Sequence, residues 1–392
     1  MLAAKGDSTV DAVRLGVVGI GALSLRGILP HLAQDDVRDR VRLQALCDPV
    51  IERAEAAARQ FSVPQSFAQL EDLLEAGQVD AVTIASPIGL HYEHGLQAIE
   101  AGKHVHFNKT MSTTVAEADA LIAAAERKDV RIVASPGEVL RPQLQRVREL
   151  IASEKAIGEL CWALCGCEFG HYHENEQERS AAAGGQPIDP SWYFRKPGGG
   201  PMYDMTAYPL HQLTSVLGPA QRVTALSGQA LARREFLGHT VEATADDNTI
   251  TTLDFGSSVF AVAYGAAAGP KSDEFGSVSY YGTKGTIRGW LLDEKPFDFP
   301  GRELTLGGPT WDWDAQARAL PHVVGVHGEL PESHVFEDIM QLVDWVRDGV
   351  PSAATADHAR HVIDIIESAY RASETGRTQT LRTTFSVVDR AL

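Results

Sequence analysis

Between residues 13 and 134 short apolar runs alternate with helix-patterned stretches of about ten to fifteen residues, and this alternation restricts the fold more than any other feature. The runs cover residues 13–18, 41–47, 79–85, 104–107 and 130–134, and the helical stretches cover 50–61, 66–75, 91–101 and 114–127. Strands separated by helices imply a parallel sheet with right-handed crossovers. Ligands of such sheets bind beyond the carboxyl ends of the strands. Asp48, Ser86-Pro87 and Asn108-Lys109 each stand at such an end.

The first run, Val13-Arg-Leu-Gly-Val-Val, enters Gly19-Ile20-Gly21-Ala22-Leu23-Ser24 and then a helical pattern. This is the strand–turn–helix setting of a dinucleotide fingerprint. Gly19 allows the tight turn, and Gly21 lets backbone approach a pyrophosphate at the helix N-terminus. Ser24 replaces the usual third glycine. The second run ends in Asp48, a carboxylate suited to ribose hydroxyls and repulsive to a 2′-phosphate. NAD is therefore expected, with NADP second. The expected cofactor set is Gly19, Ile20, Gly21, Ala22, Leu23, Asp48, Arg53, Ser86, Pro87, His91, Asn108 and Lys109.

Bulk properties narrow the partners. A chain of 392 residues exceeds one ordinary core, so two domains are expected, over residues 10–135 and 136–392. A net charge of −17 disfavours nucleic acid and anionic membranes. No apolar run reaches the roughly 18 residues of a membrane span, and residues 1–9 lack the apolar stretch of a signal peptide. Four cysteines form no disulfide framework, so a cytoplasmic location is expected. Cys161, Cys165, Cys167, His171 and His173 share strand parity, but lack the close cysteine pair of structural zinc sites. They read as part of a buried strand, and no metal is expected.

Lys196-Pro-Gly-Gly-Gly-Pro-Met-Tyr-Asp204-Met-Thr-Ala-Tyr208-Pro-Leu-His211 is a glycine turn leading into a helix. Asp204, Tyr208 and His211 fall at i, i+4 and i+7, on one helical face. If Thr206 caps the helix, Pro209 sits harmlessly in the first turn. If the helix starts earlier, a kink is expected at Pro209.

With these residues assembled the chain resembles the Gfo/Idh/MocA oxidoreductases along nearly its whole length. Ala85-Ser-Pro-Ile-Gly-Leu-His91 is similar to that family's A-T-P-x-x-x-H, and Ala101-Gly-Lys-His-Val-His-Phe-Asn-Lys109-Thr110 to its A-G-K-H-V-x-x-E-K-P. Gly198-Gly-Gly through Asp204 and Tyr208 resembles G-G-G-x-x-x-D-x-x-x-H, with tyrosine in place of histidine. Tyr281-Gly-Thr-Lys-Gly-Thr-Ile and Ser373-Glu-Thr-Gly-Arg fit the second domain.

The resemblance implies an α/β Rossmann-type domain followed by an α+β domain with a large, mostly antiparallel open sheet. Strands are expected near 160–169, 221–226, 249–255, 258–264, 277–281 and 285–291, with closing helices over 333–347 and 355–371. It also implies a homodimer or homotetramer that covers the free sheet face. The implied activity is NAD-dependent oxidation of a secondary hydroxyl on a sugar, glycoside or cyclitol. The alternatives are a glycosidase or lyase with transient oxidation, and a non-catalytic sugar or dinucleotide sensor. Tyr208 is assigned as proton acceptor, with His211 as the alternative base or a second hydroxyl ligand. Lys109 would lower the phenol pKa and hold the substrate oxygen, and Asp204 would orient Lys109. Arg141, His171, His173, Trp192, Arg195 and Lys196 form the expected substrate pocket for a polyhydroxylated ring.

Overall fold

The computed structural model describes residues 12–168, 170, 188–236, 238–269, 276, 278–305 and 316–387. His171 and His173 lie outside the described residues. Six parallel strands, β1 (Val13–Val18), β2 (Val41–Cys47), β3 (Gln65–Phe67), β4 (Ala81–Ile84), β5 (His104–Phe107) and β6 (Ile132–Ala134), form one sheet in the order β3-β2-β1-β4-β5-β6. Only Arg14 is exposed in β1 and nothing is in β4, because helices cover both faces of a parallel sheet.

The strand order reverses between β1 and β4. Val18 pairs with both Cys47 and Ile84, and Ile84 with Phe107. Gly19, Asp48, Ala85 and Asn108 therefore leave the sheet along one edge. The crossovers carry α1 (Leu29–Leu32), α2 (Ile51–Phe61), α3 (Leu70–Ala76), α4 (His91–Glu100) and α5 (Val115–Lys128). At the start of α5 the Thr114 side chain accepts from Glu117 N while Glu117 accepts from Thr114 N, a reciprocal cap that fixes the loop following Lys109.

After α6 (Pro142–Ala152) comes a nine-stranded sheet. Its strands are β7 (Leu160–Glu168), β8 (Arg222–Gly228), β11 (Asn248–Asp254), β12 (Phe260–Ala266), β13 (Val278–Gly282), β14 (Thr286–Arg288), β15 (Leu291–Leu292), β16 (Lys295–Pro296) and β17 (Gln379–Thr380). The sheet order is β16-β15-β14-β13-β7-β12-β11-β8-β17, antiparallel throughout except for the β7–β12 pair. A separate hairpin, β9 (Arg233–Phe236) with β10 (His239–Glu242), is an element the sequence pattern did not indicate. One sheet face packs against α6 and α7 (Ala207–Leu217) through Val147, Leu150, Leu210 and Leu213. On the other face Trp162, Leu226, Ile250 and Phe260 are 41%, 79%, 55% and 45% exposed, although a solvated face would favour polar side chains. Cys165 and Cys167 are buried and Cys161 is exposed.

The chain then returns to its beginning. In α8 (Ser333–Asp348), Val335, Phe336, Ile339 and Val343 share a core with Leu15, Val17 and Ile28. Helix α9 (Ala356–Thr375) splits its apolar side: Ala359 and Ile363 join the first sheet's core, while Val362 and Ile366 join the second's. Among the described residues no helix is long and apolar enough to cross a membrane.

Candidate active site

Where the first sheet's strand order reverses, a cleft of about 770 Å³ opens beyond the strand ends and continues to the start of α7. Gly19 turns at φ +91°, and a Cβ there would sit 2.7 Å from Ser86 N and 2.8 Å from Ala85 O. Only glycine lets this turn cross the end of β4. Gly21 is different: its Cβ would meet Ile188 Cδ1 alone, at 3.9 Å, so its outer side is open cleft. Ser24, standing where a third glycine is usual, donates its hydroxyl to the Gly19 carbonyl at 2.6 Å and so braces the turn from within.

Asp48 is buried and occupied. Its Oδ2 accepts from Ile20 N at 2.9 Å, and its Oδ1 accepts from Val50 N at 2.9 Å and from Arg53 Nη1 at 3.0 Å. The carboxylate thus ties the glycine turn to the end of β2. Ile20 is buried and serves that tie, while Asp48 and Arg53 both line the cleft. This end of the cleft therefore holds a cation beside its anion, an arrangement that would soften the repulsion of a 2′-phosphate placed there.

At the other end Lys109 and Asp204 form an ion pair, with side chains 11% and 8% exposed. The pair is set by two ties. Tyr203 donates its hydroxyl to Thr113 O at 2.7 Å, joining the helix to the loop after Lys109. Residues 202–206 form a π turn that runs directly into α7, so the helix starts before Thr206 and Thr206 does not cap it. A proline cannot bond the carbonyl four residues back, and here that carbonyl, Met205 O, accepts from Cys167 Sγ at 3.5 Å. The widened π turn makes room for the Pro209 ring.

Lys109 Nζ lies over the Tyr208 ring, 5.3 Å from its centroid. Burial, followed by Glu332, Asp204, Glu138 and Asp338, drives the Tyr208 phenol well above its ordinary value. Burial is the first cause of this rise and the surrounding carboxylates the next, so the neutral phenol is the favoured form in the cleft. Tyr208 Oη lies 3.1 Å from His334 Nε2. Burial pushes His334 down to about 4, so its imidazole is neutral near pH 7.

Lys109, Asp204, Tyr208, Ser86, Pro87, Asn108 and Trp192 share the cleft wall. Several other expected residues do not. His211 lies one turn further along α7, where the helix has left the cleft; it is buried with its ring 4.5 Å from that of His358. Burial and His361 push it down to about 3, which suits a neutral packing group. Arg141 is buried in an ion pair with Glu138, its Nε 2.8 Å from a carboxylate oxygen, behind the cleft rather than in it. His91 is buried between two loops, Nδ1 2.7 Å from Thr110 O and Nε2 2.8 Å from Ser86 O; it holds the walls in place without facing the cavity. Arg195 is exposed outside the cleft, and Lys196 pairs with Asp246 at 3.7 Å and covers the Tyr370 ring. The glycines before α7 approach protein, not ligand: a Cβ on Gly198 would be 2.9 Å from Gly89 N.

His334, Glu332 and Arg26 line the cleft and were not singled out from sequence. His334 stands 126 residues beyond Tyr208, at the start of a helix whose apolar pattern says only that it packs. A carboxylate and a histidine at that helix's start were the available signal, without a spacing to link them to Tyr208.

The residues present fit a nicotinamide dinucleotide: an open helix N-terminus behind Gly21, Asp48 and Arg53 for the ribose end, and Lys109 beyond the ends of β4 and β5. Comparisons with known proteins agree. Residues 13–135 match the profile of the oxidoreductase family with an NAD-binding Rossmann fold, and residues 144–288 match the GFO/IDH/MocA C-terminal domain. The chain is 26% identical over 390 residues to scyllo-inositol 2-dehydrogenase (NADP(+)) IolW of Bacillus subtilis, covering 95% of this chain and 97% of that one. In fold it is similar to GenD2 of gentamicin A biosynthesis, solved with NAD (TM-score 0.71, 22% identity, 98% and 100% of the two chains). It is similar too to the WlbA dehydrogenase of Bordetella pertussis, solved with NADH and UDP-GlcNAcA (TM-score 0.69, 21% identity, 94% and 99%).

Proposed function

Because the chain belongs to the Gfo/Idh/MocA family of oxidoreductases, we propose that it is a dehydrogenase oxidising a secondary hydroxyl of a sugar, glycoside or cyclitol, with NAD preferred over NADP. The observation that carries this reading is the buried Lys109–Asp204 pair beside Tyr208 at the inner end of the dinucleotide cleft. The bound dinucleotide supplies the hydride acceptor. Lys109, held by Asp204, faces the oxygen on which charge develops. Tyr208 takes the hydroxyl proton at its Oη. Trp192 and the adjoining segment at Ile188 supply an apolar wall for a ring, as in sugar sites generally.

Residues 10–135 bind the dinucleotide in this reading, and 136–392 supply substrate contacts and the subunit interface. Relatives of this chain carry names of inositol, glucoside and xylose dehydrogenases, which supports the substrate class. The apolar face around Leu226 and Ile250 supports a homodimer, or a tetramer of such dimers, built through the nine-stranded sheet. The test is a screen of sugars, glycosides and inositols for NADH formation. Net NADH with one member supports the reading; substrate conversion without net NADH would indicate transient oxidation instead.

A further inference from the structure

Tyr208 is placed to take a proton and poorly placed to keep it. Its ring is buried, and the charged groups that act on it most strongly are carboxylates, so an anionic phenolate is disfavoured there. Its oxygen nevertheless has a hydrogen-bonding neighbour, His334 Nε2 at 3.1 Å, which accepts from the phenol in the tautomer protonated at Nδ1; the two rings lie edge to face at 5.6 Å. At the same nitrogen, beside Tyr208, stands Glu332, its Oε2 at 3.7 Å and its side chain partly exposed on the cleft wall. Glu332 is held at φ +61°, its chain packed on Gly27 and its carboxylate paired with Arg26 at 2.5 Å. Tyr208 and Glu332 thus meet at one nitrogen of His334, and all three line the cleft.

We propose that His334 is the proton acceptor behind Tyr208: as the substrate hydroxyl gives its proton to Tyr208 Oη, Tyr208 passes its own proton to His334 Nε2. This rests on the dehydrogenase reading above. The substrate loses an O–H and a C–H bond and gains a C=O bond. Its hydride, carrying two electrons, goes to the nicotinamide dinucleotide, and the remaining proton ends on His334. Tyr208 stays a neutral phenol throughout. The imidazolium is opposed first by burial and then by Arg141, Lys109 and Arg26, which face it from the other packed elements, and is favoured by Glu332, so it is a short-lived carrier. It discharges toward Glu332 and solvent. His334 touches Tyr208 rather than substrate, so it is a positioning residue that also carries the proton.

The test compares wild type with Tyr208→Phe, His334→Gln and His334→Ala in kcat, KM and the pH profile of kcat, with NAD binding checked for each. Glutamine keeps a hydrogen-bond partner for Tyr208 but cannot take the proton. His334→Gln is expected to lower kcat by roughly 10²-fold or more, leave KM little changed and remove the acidic limb of the kcat profile. Added imidazole is expected to restore part of the His334→Ala rate. If Tyr208→Phe is slow but His334→Gln turns over like wild type, the relay is overturned and the dehydrogenase reading stands. If Tyr208→Phe turns over like wild type, or no member of the substrate panel reduces NAD, both are overturned.

Discussion

The glycine turn gives a paired prediction in which two neighbouring substitutions of the same chemistry fail differently. In Gly19→Ala the new methyl would stand 2.7 Å from Ser86 N and 2.8 Å from Ala85 O, well inside ordinary contact at 3.4 Å. Both partners are backbone at the end of β4, in the middle of the sheet, and cannot rotate aside. Overpacking of this kind costs about 1–3 kcal/mol, and holding alanine at φ +91° adds about 1–2 kcal/mol. The sum, roughly 2–5 kcal/mol, is a large share of a typical folding free energy. Gly21→Ala meets only Ile188 Cδ1 at 3.9 Å, so stability should change by no more than about 0.5 kcal/mol. Its methyl instead projects into the space needed by a pyrophosphate. Denaturant unfolding and NAD titration by tryptophan fluorescence separate the two effects. Gly19→Ala should lower the unfolding midpoint, whereas Gly21→Ala should keep it and weaken NAD binding. A Gly21→Ala protein that binds NAD as wild type does would refute the placement of the dinucleotide.

NAD should bind more tightly than NADP, and Arg53→Ala should weaken NADP more than NAD, since Arg53 is the cation beside Asp48; calorimetric titration of both cofactors checks this. Burial alone would push His322 down, but its bonds to Asp344 and Glu337 win and raise it to about 10. A raised folded-state pKa stabilises fully below the unfolded value near 6.5 and loses that contribution as pH rises to about 10. His322→Gln should therefore destabilise at pH 6 and flatten the fall in stability between about pH 6.5 and 10, measured by thermal melts across that range. Leu226→Lys with Ile250→Lys should leave a monomer by light scattering if the apolar sheet face is the subunit interface.

The first half of the fold was legible because a parallel sheet writes itself as alternating apolar runs and helices, each bounded by local signals. The ends of β1, β2, β4 and β5 carried Gly19, Asp48, Ser86 and Lys109, and the sheet register brings these ends together. The helical spacing of Asp204 and Tyr208 likewise points both at one cavity. It misleads at His211, because periodicity defines a face but not where along that face the cavity stops. Arg141 and Lys196 differ from expectation for a related reason: each pairs with a carboxylate, Glu138 or Asp246, that does not line the cleft. His334 was illegible because its role depends on α8 returning across the first sheet to within reach of Tyr208. The short β9–β10 hairpin falls below what alternation can mark.

The most direct measurement follows NADH absorbance while wild-type and Lys109→Ala proteins are offered NAD with each sugar, glycoside and inositol of a panel. NADH should accumulate with the wild-type protein on at least one polyhydroxylated ring, and Lys109→Ala should lose roughly 10²-fold or more of that rate while still binding NAD. An NAD-bound wild-type protein that reduces nothing on the panel, or a Lys109→Ala protein that keeps the wild-type rate, would contradict hydride transfer at the Lys109–Asp204–Tyr208 site.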